Sequence, residues 1–340
     1  MYPAELGFQM PPEWSKHART FMEWPVKEAL WPEPFAEILP VFADIVKQIN
    51  AFEPVTLIVR PELASQAALF CGADINILPI NHNDSWMRDN GPTFVVNQQG
   101  ELAGINWIFN GWGGKFPAED DNRVAPQLLN HFNIPCFDVP IVMEGGSFHV
   151  DGEGTLITTE ECLLNSNRNP HLSREEIENY LKRYLNISRI IWLKRGWAGD
   201  DTDGHIDNLA CFAKPGVIIT QVCSDPTDPN HEISLENYRI LETAIDARGR
   251  SLEIITIEQP PADVYENMRL TLSYLNFYFV NDGIILPIFG GKAAATDEAA
   301  QETLQKVFPS RRIATINGSI IARGGGNVHC LTQQMPSFEV

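Results

Sequence analysis

Positive charge is scarce in this chain. Among its 340 residues, 25 Lys and Arg face 44 Asp and Glu, for a formal net charge of −19. That balance argues against a polyanionic partner such as nucleic acid; it suits the steering of a small cation, and equally plain solubility. No apolar run reaches the length needed to cross a bilayer, so no membrane partner is expected. The opening Met1-Tyr2-Pro3-Ala4-Glu5 lacks the basic and apolar regions of a secretory signal, and a cytoplasmic setting is expected. The six cysteines are scattered without metal-knuckle spacing, which points to reduced thiols rather than a disulfide or zinc framework. Low-complexity tracts, His-x-x-x-His pairs, Gly-x-Ser-x-Gly and phosphate-binding loops are also missing. Serine-hydrolase and nucleotide readings fall with them.

What remains is the composition of a globular protein, 44% hydrophobic and 20% charged, expected to form a single domain over residues 1–340. Helical spacing of Phe35, Ile38, Leu39, Phe42, Ile45, Val46 and Ile49 predicts a helix near 33–50, kinked by Pro40. A buried strand over Val55–Val59, a short helix near 61–70 and a strand near 75–79 follow. From there one pattern recurs: a polar or Gly-rich start, a strand, a turn and a second apolar strand. The starts are Arg88-Asp89-Asn90-Gly91, Glu144-Gly145-Gly146, Asp203-Gly204-His205-Ile206-Asp207, Ser273-Tyr274-Leu275-Asn276 and the run Gly324 to Cys330, where Val328 and Cys330 suit a strand. Between them Ser173-Arg174-Glu175-Glu176 is a capping box. Ser234 and Thr296 are expected caps of helices near 235–247 and 297–308, with strands near 189–193, 253–257 and 312–316. Repeated ββαβ-like units about 50–70 residues apart suggest a radial array of five, each burying what its neighbour exposes. The fifth lacks an outer strand, which Thr20–Trp24 would supply. An ordinary α/β sheet with chance hairpin likeness is the alternative.

The unusual polar residues sit at the starts: Asp89, Glu144, His205 with Asp207, Asn276 and Cys330. In a ring they would converge on the central channel, with glycines such as Gly325 and Gly326 leaving room for a small ligand. A thiol becomes a good nucleophile when ionised, and a nearby cation stabilises the thiolate. Two carboxylates can hold a planar guanidinium through paired, charge-assisted hydrogen bonds. The bound cation would lower the thiol's pKa and be polarised at its central carbon. His205 would protonate departing ammonia and later activate water. Trp86 and Trp112 would face the positive groups, a contact worth roughly 0.5–2 kcal/mol. Taken singly, Asp89 reads as a turn cap, Glu144 as a turn residue, His205 as a structural histidine and Asn276 as a strand-end hydrogen-bonder; the joint pattern points to chemistry. The pairs His149-Val150-Asp151 and His205-Ile206-Asp207 leave a metal hydrolase as a competing use, and a guanidine or polyamine binder without turnover as another. His149 is assigned to structure, and Cys71, Cys136, Cys162, Cys211 and Cys223 to packing.

Trp86-Met87-Arg88-Asp89-Asn90-Gly91-Pro92-Thr93, Gly111-Trp112-Gly113-Gly114-Lys115-Phe116, Glu144-Gly145-Gly146, Asp203 to Asp207 and Gly324 to Cys330 together resemble agmatine deiminases. These belong to the guanidine-modifying superfamily that includes bacterial peptidylarginine deiminases. The resemblance runs from Met10-Pro11-Pro12-Glu13-Trp14 to Gln333-Gln334-Met335-Pro336. It implies a five-bladed α/β propeller with pseudo-fivefold symmetry and its active site in the central channel. It implies that Cys330 attacks the guanidinium carbon, giving an amidino-thioether that water activated by His205 then hydrolyses. Asp89 and Asp207 would grip the guanidinium, and Glu144 would orient His205 or add a third carboxylate. Agmatine and water would become N-carbamoylputrescine and ammonia, a step of polyamine synthesis, with no metal or organic cofactor. Free or peptidyl arginine would instead want a basic clamp for its carboxylate. Near the expected site Asp84, Asp120, Asp121, Asp200 and Asp201 outnumber Arg88 and Lys115, which favours agmatine. A homo-oligomer is left open.

Overall fold

The computed structural model describes residues 1–26, 31 and 35–337. Among them, five sheets of three or four strands carry the architecture, beside a two-stranded ribbon of Val264–Tyr265 and Met268–Arg269. Four sheets repeat one plan: a strand, an antiparallel neighbour after a tight turn, and a parallel neighbour after a longer crossover. They are Thr93–Val96, Leu102–Ile108, Cys136–Val142; Phe148–Val150, Thr155–Thr159, Arg189–Leu193; Ala210–Lys214, Val217–Val222, Glu253–Glu258; and Tyr278–Val280, Gly283–Ile288, Arg312–Asn317. The middle strand Thr155–Thr159 is covered on both faces, every residue buried, and accordingly reads as an unbroken apolar and Thr-rich run. Tight turns join antiparallel strands, while parallel pairs need a crossover, supplied for example by the helices Arg174–Leu185, Asn230–Thr243 and Ala294–Val307.

The remaining sheet joins the two ends of the chain. Thr332–Pro336 runs antiparallel to His17–Glu23, with Thr20 opposite Gln334, and Val55–Val59 and Asn76–Pro79 extend it in parallel. The N-terminal strand thus completes the unit that the C-terminal run begins, as its position in the repeat predicts. None of these sheets closes on itself among the described residues. No helix there is long and apolar enough to cross a membrane.

Several local expectations shift. The helix over Ile38–Asn50 is preceded by a short 3-10 turn at Phe35–Glu37, and residues 33 and 34 of the expected helix lie outside the described residues. Pro40 falls in the first turn, where its missing N–H removes no internal bond and no kink is needed. The capping box at Ser173 forms as read, with Glu176 closing it. Ser234 lies inside its helix, with Pro229 at the N-cap, and its hydroxyl donates to the His231 carbonyl. Thr296 likewise lies inside its helix and donates to Ala293 O. Val328 and Cys330 lie in turns rather than a strand, because Asn276 Oδ1 accepts both the His329 and Cys330 N–H and bends the chain before Thr332. The polar starts therefore share a different feature. Each is a single turn of chain, seen in Met87–Asn90, Gly145–Ser147 and Ile206–Asn208, placed just before the first strand of its sheet.

Candidate active site

Those turns bring Asp89, Glu144, His205, Asp207, Asn276 and Cys330 into one buried group. Cys330 Sγ lies 3.4 Å from Asp207 Oδ2 and 3.1 Å from Asn276 Nδ2, which donates to it. Burial, reinforced by the charges of Asp207 and Asp89, pushes the thiol well above its usual pKa. Its resting form is therefore the neutral thiol.

His205 is fully buried in the same group. Its Nδ1 is 3.8 Å from Asp89 Oδ2 and its Nε2 is 3.9 Å from Glu144 Oε2. Burial alone would lower this imidazole, but Asp89, Cys162 and Glu144 together raise it well above the ordinary value. Glu144 is held from behind by Arg168, whose Nε donates to Oε1 at 2.6 Å. Against the upward push of burial, Arg168 and His205 keep Glu144 below the usual carboxylate range. Arg168 is fixed in turn by Asn167, Asp203 and the Thr202 carbonyl.

Asp89 accepts the Trp112 indole N–H at 2.8 Å and the Gly146 N–H at 2.9 Å. Burial raises its pKa; His205 opposes that and the Asp207 charge adds to it. Asp207 is held the other way. Burial again pushes up, but His329, His205 and the Cys330 thiol outweigh it. His329 Nδ1 lies 2.9 Å from Asp207 Oδ2, and its Nε2 lies 3.0 Å from Glu13, which also meets Arg88 at 3.3 Å. Carboxylates on both ring nitrogens require both to carry hydrogen, so His329 sits as an imidazolium between Glu13 and Asp207.

One set of atoms stands out in this network. Asp207 Oδ1, Glu144 Oε2 and both ring nitrogens of His205 are buried with no hydrogen-bond partner among the described residues. Buried polar atoms are normally satisfied, and a cluster of exceptions marks where a ligand's own polar groups belong. Glycine makes the space. A Cβ on Gly146 would stand 2.7–2.9 Å from His205 Nδ1, Asp207 Oδ2 and Asp89 Oδ1, and one on Gly326 would stand 2.9 Å from Cys330 Sγ. A cleft of about 380 Å³ leads in, lined by Trp86, Asp89, Trp112, Phe116, Asp201, Thr202, Gly324 to Gly326 and Cys330. Trp86 is held flat by stacking on Trp31 with ring centres 5.2 Å apart. Phe116, Asp201, Gly324 and Gly325 also line a larger vestibule beside it.

The sequence-predicted residues divide accordingly. Trp86, Trp112, Asp89, Gly325, Gly326 and Cys330 line the cleft, while Glu144, His205 and Asp207 stand behind it. Asn276 spends its amide on Cys330 and on the His329 and Cys330 N–H groups, so it positions the thiol rather than facing the cleft. Arg88 is fully buried and turned toward Glu13 and Gln334, away from the cleft. Lys115 is tied to Asp203 and the Asp201 carbonyl. Of the acidic loop residues, Asp121 and Asp200 accept backbone N–H groups, whereas Asp201 is exposed at the mouth. Glu13, His329 and Arg168 were not singled out by sequence reasoning, and Cys162 was assigned to packing. Glu13 and His329 lie inside motifs that carry the resemblance, which is the signal that could have found them; Arg168 and Cys162 lie in no such motif.

The chain matches the profile of the Porphyromonas-type peptidyl-arginine deiminase family over residues 9–336. A Legionella pneumophila (strain Philadelphia 1) protein whose name, agmatine deiminase, is itself provisional is 46% identical over 337 residues, 98% of this chain and 96% of its own. The solved agmatine deiminase of Enterococcus faecalis is 34% identical, with a TM-score of 0.94 over 99% of this chain and 98% of that one. A C. jejuni agmatine deiminase variant solved with substrate bound is 31% identical, with a TM-score of 0.89 over 96% of each chain. By sequence and by fold, this chain belongs to the Porphyromonas-type peptidyl-arginine deiminase family, with agmatine deiminases among its relatives.

Proposed function

We propose that this protein is an agmatine deiminase: it hydrolyses agmatine to N-carbamoylputrescine and ammonia through a covalent intermediate on Cys330. The observation that carries the reading is the set of unpartnered buried atoms around the thiol. Asp207 Oδ1 and Glu144 Oε2 are acceptors, and a guanidinium brings a planar fork of N–H donors. Asp89 and Asp207 hold that fork, and its carbon comes to rest beside Cys330 Sγ. The thiol proton passes to solvent as the C–S bond forms, and His205, held charged by Asp89 and Glu144, delivers a proton to the departing amine. Ammonia leaves an amidino-thioether. Neutral His205 then takes a proton from water, hydroxide adds to the same carbon, and the C–S bond breaks to give the ureido product and the free thiol. Arg168, by neutralising one oxygen of Glu144, keeps the other aimed at His205.

Agmatine is favoured over arginine by what the cleft offers the far end of the substrate. Asp201 stands at the mouth, while Arg88 and Lys115, the nearby basic candidates, are spent elsewhere. The five sheets are read as blades of a five-bladed propeller within a single domain, supported by the repeated strand order and by one site turn per blade. A reducing, cytoplasmic setting is supported by six free thiols, one of them the nucleophile. The test compares ammonia release from agmatine, arginine and a C-terminal arginyl peptide, using the native protein and Cys330→Ala. Agmatine should be turned over fastest, and Cys330→Ala should melt like the native protein with no release. Full activity in that variant, or preference for arginine, would overturn the reading.

A further inference from the structure

Cys162 makes and breaks no bond in the chemistry above, yet it lies against His205 and helps to raise that imidazole. It sits fully buried on the one-turn helix Glu160–Leu163. Its Sγ, a carboxylate oxygen of Glu144 and a ring nitrogen of His205 lie within 4.8 Å of one another. Two of these three residues present atoms without a hydrogen-bond partner among the described residues, Glu144 Oε2 and the ring nitrogens of His205. Thiolate, imidazole and carboxylate are the three donor types of protein zinc sites, and a set that includes sulfur disfavours magnesium and calcium. Zinc–ligand bonds of about 2.0–2.3 Å put tetrahedral ligand atoms roughly 3.3–3.8 Å apart. His205 Nε2 and Glu144 Oε2 stand at 3.9 Å already. The remaining closure is about 1 Å, within the reach of a Cys or His side-chain rotation. Outer contacts that fix ligands are also present: Arg168 holds Glu144 by its other oxygen, and Thr159 Oγ1 accepts the Cys162 N–H.

We propose that Glu144, Cys162 and His205 form an inhibitory site for a thiophilic divalent cation of the zinc class, with a water from the cleft as fourth ligand. Binding forms an S–metal bond as the Cys162 thiol gives its proton to solvent. His205 likewise gives a ring proton to solvent, and the ion takes the lone pair so freed together with the free Glu144 oxygen, so no proton can be delivered to a departing amine. Cys330 is left untouched. The inhibition rests on the deiminase reading; the binding does not.

The experiment uses Co²⁺ as the spectroscopic probe and Zn²⁺ as its competitor, on the native protein, Cys162→Ser, Cys162→Ala and Cys330→Ala, each checked by thermal melting. Native protein and Cys330→Ala should develop the same thiolate-to-cobalt charge-transfer band, bleached by Zn²⁺. Both Cys162 variants should lack it and need about tenfold or more Zn²⁺ to halve whatever turnover each shows without metal. A band lost in Cys330→Ala and kept in the Cys162 variants would overturn the proposal, as would no band in the native protein. A Cys162-dependent band in a protein without agmatine turnover would leave the site standing and sink the function.

Discussion

Replacing Glu13 by Gln is a severe test of the buried network beneath the thiol. Glu13 is 3% exposed and faces His329 at 3.0 Å, Arg88 at 3.3 Å and His149 at 3.5 Å. The amide keeps the shape and removes the charge. Removing one partner of a buried ion pair costs about 3–5 kcal/mol, because the other is left uncompensated. Unfolding entropy of roughly 2.1 cal/mol/K per residue, over 340 residues, converts that loss to a fall in Tm of about 4–7 °C. Turnover should fall as well, by about 10²-fold, since His329 would no longer be pinned where it holds Asp207 beside Cys330.

The pH dependence separates this from a generic packing defect. Burial pushes Glu13 up, but His329, Arg88 and His149 bring it well below 4.5. Its contribution to stability is therefore present above pH 4.5 and lost as pH falls through the depressed folded value. His329 is the reverse. Burial and Arg88 lower it, yet Glu13 and Asp207 raise it above 6.5, so its contribution is full below pH 6.5 and lost as pH rises through the elevated folded value. Glu13→Gln should flatten both limbs: less stability lost in acid, and less lost on the alkaline side. Denaturant titrations across pH, with imidazole titration of His329 by NMR, read both. A variant that melts within about 1 °C of the native protein and titrates identically would refute the network as a source of charge.

Gly146→Ala should abolish turnover and lower Tm by roughly 1–4 °C, since the forced shift of His205, Asp207 and Asp89 costs about 1–3 kcal/mol. The added methyl would displace ligand space bounded by His205, Asp207 and Asp89, and single-turnover assays of thioether formation would show the block at the first step. Trp112→Phe deletes the indole N–H that Asp89 accepts; a hydrogen bond to a charged group is worth about 1.5–3 kcal/mol, so kcat/KM should fall roughly 10–100-fold. Asp201→Asn should raise KM for agmatine while leaving kcat largely in place, and leave KM for a guanidine without the amine tail unchanged.

Much of this site could be read from the chain because its residues sit on short, glycine-marked turns whose polarity is anomalous beside the apolar strands that follow. Asp89, Glu144, His205, Asp207 and Cys330 were visible for that reason. The strand expected at Val328 to Cys330 failed for a reason local patterning cannot contain: a side-chain amide 54 positions earlier, Asn276, captures two of the N–H groups a ladder would need. Arg88, a basic candidate near the site by sequence, proves to be spent inside because its partner, Glu13, lies 75 positions earlier, a distance that local patterning does not span. Cys162 looked like packing, since nothing in Glu160-Glu161-Cys162-Leu163 announces that its helix abuts His205. Helix caps erred similarly: Ser234 and Thr296 have the right chemistry, but the chain enters each helix before reaching them.

The resting charge of the site explains why it need not waste its nucleophile. Asp207 and Asp89 face Cys330, and each opposes a third negative charge on sulfur. An empty site therefore stores a thiol, which is less open to alkylation and oxidation than a thiolate would be. A guanidinium reverses that balance. It enters as a cation between the same carboxylates, and Coulomb attraction at about 4 Å is worth some 4 kcal/mol at an effective dielectric near 20, enough to bring down a pKa by about three units. Activation is thus supplied by the ligand that is to be attacked, and a neutral analogue of the same shape should bind without creating the thiolate. Alkylation of Cys330 by a small neutral reagent should be slow in the free protein and faster when a guanidinium too short to fill the cleft is bound. The neutral urea of equal size should leave the rate unchanged. Equal acceleration by both would mean that shape, and not charge, ionises the sulfur.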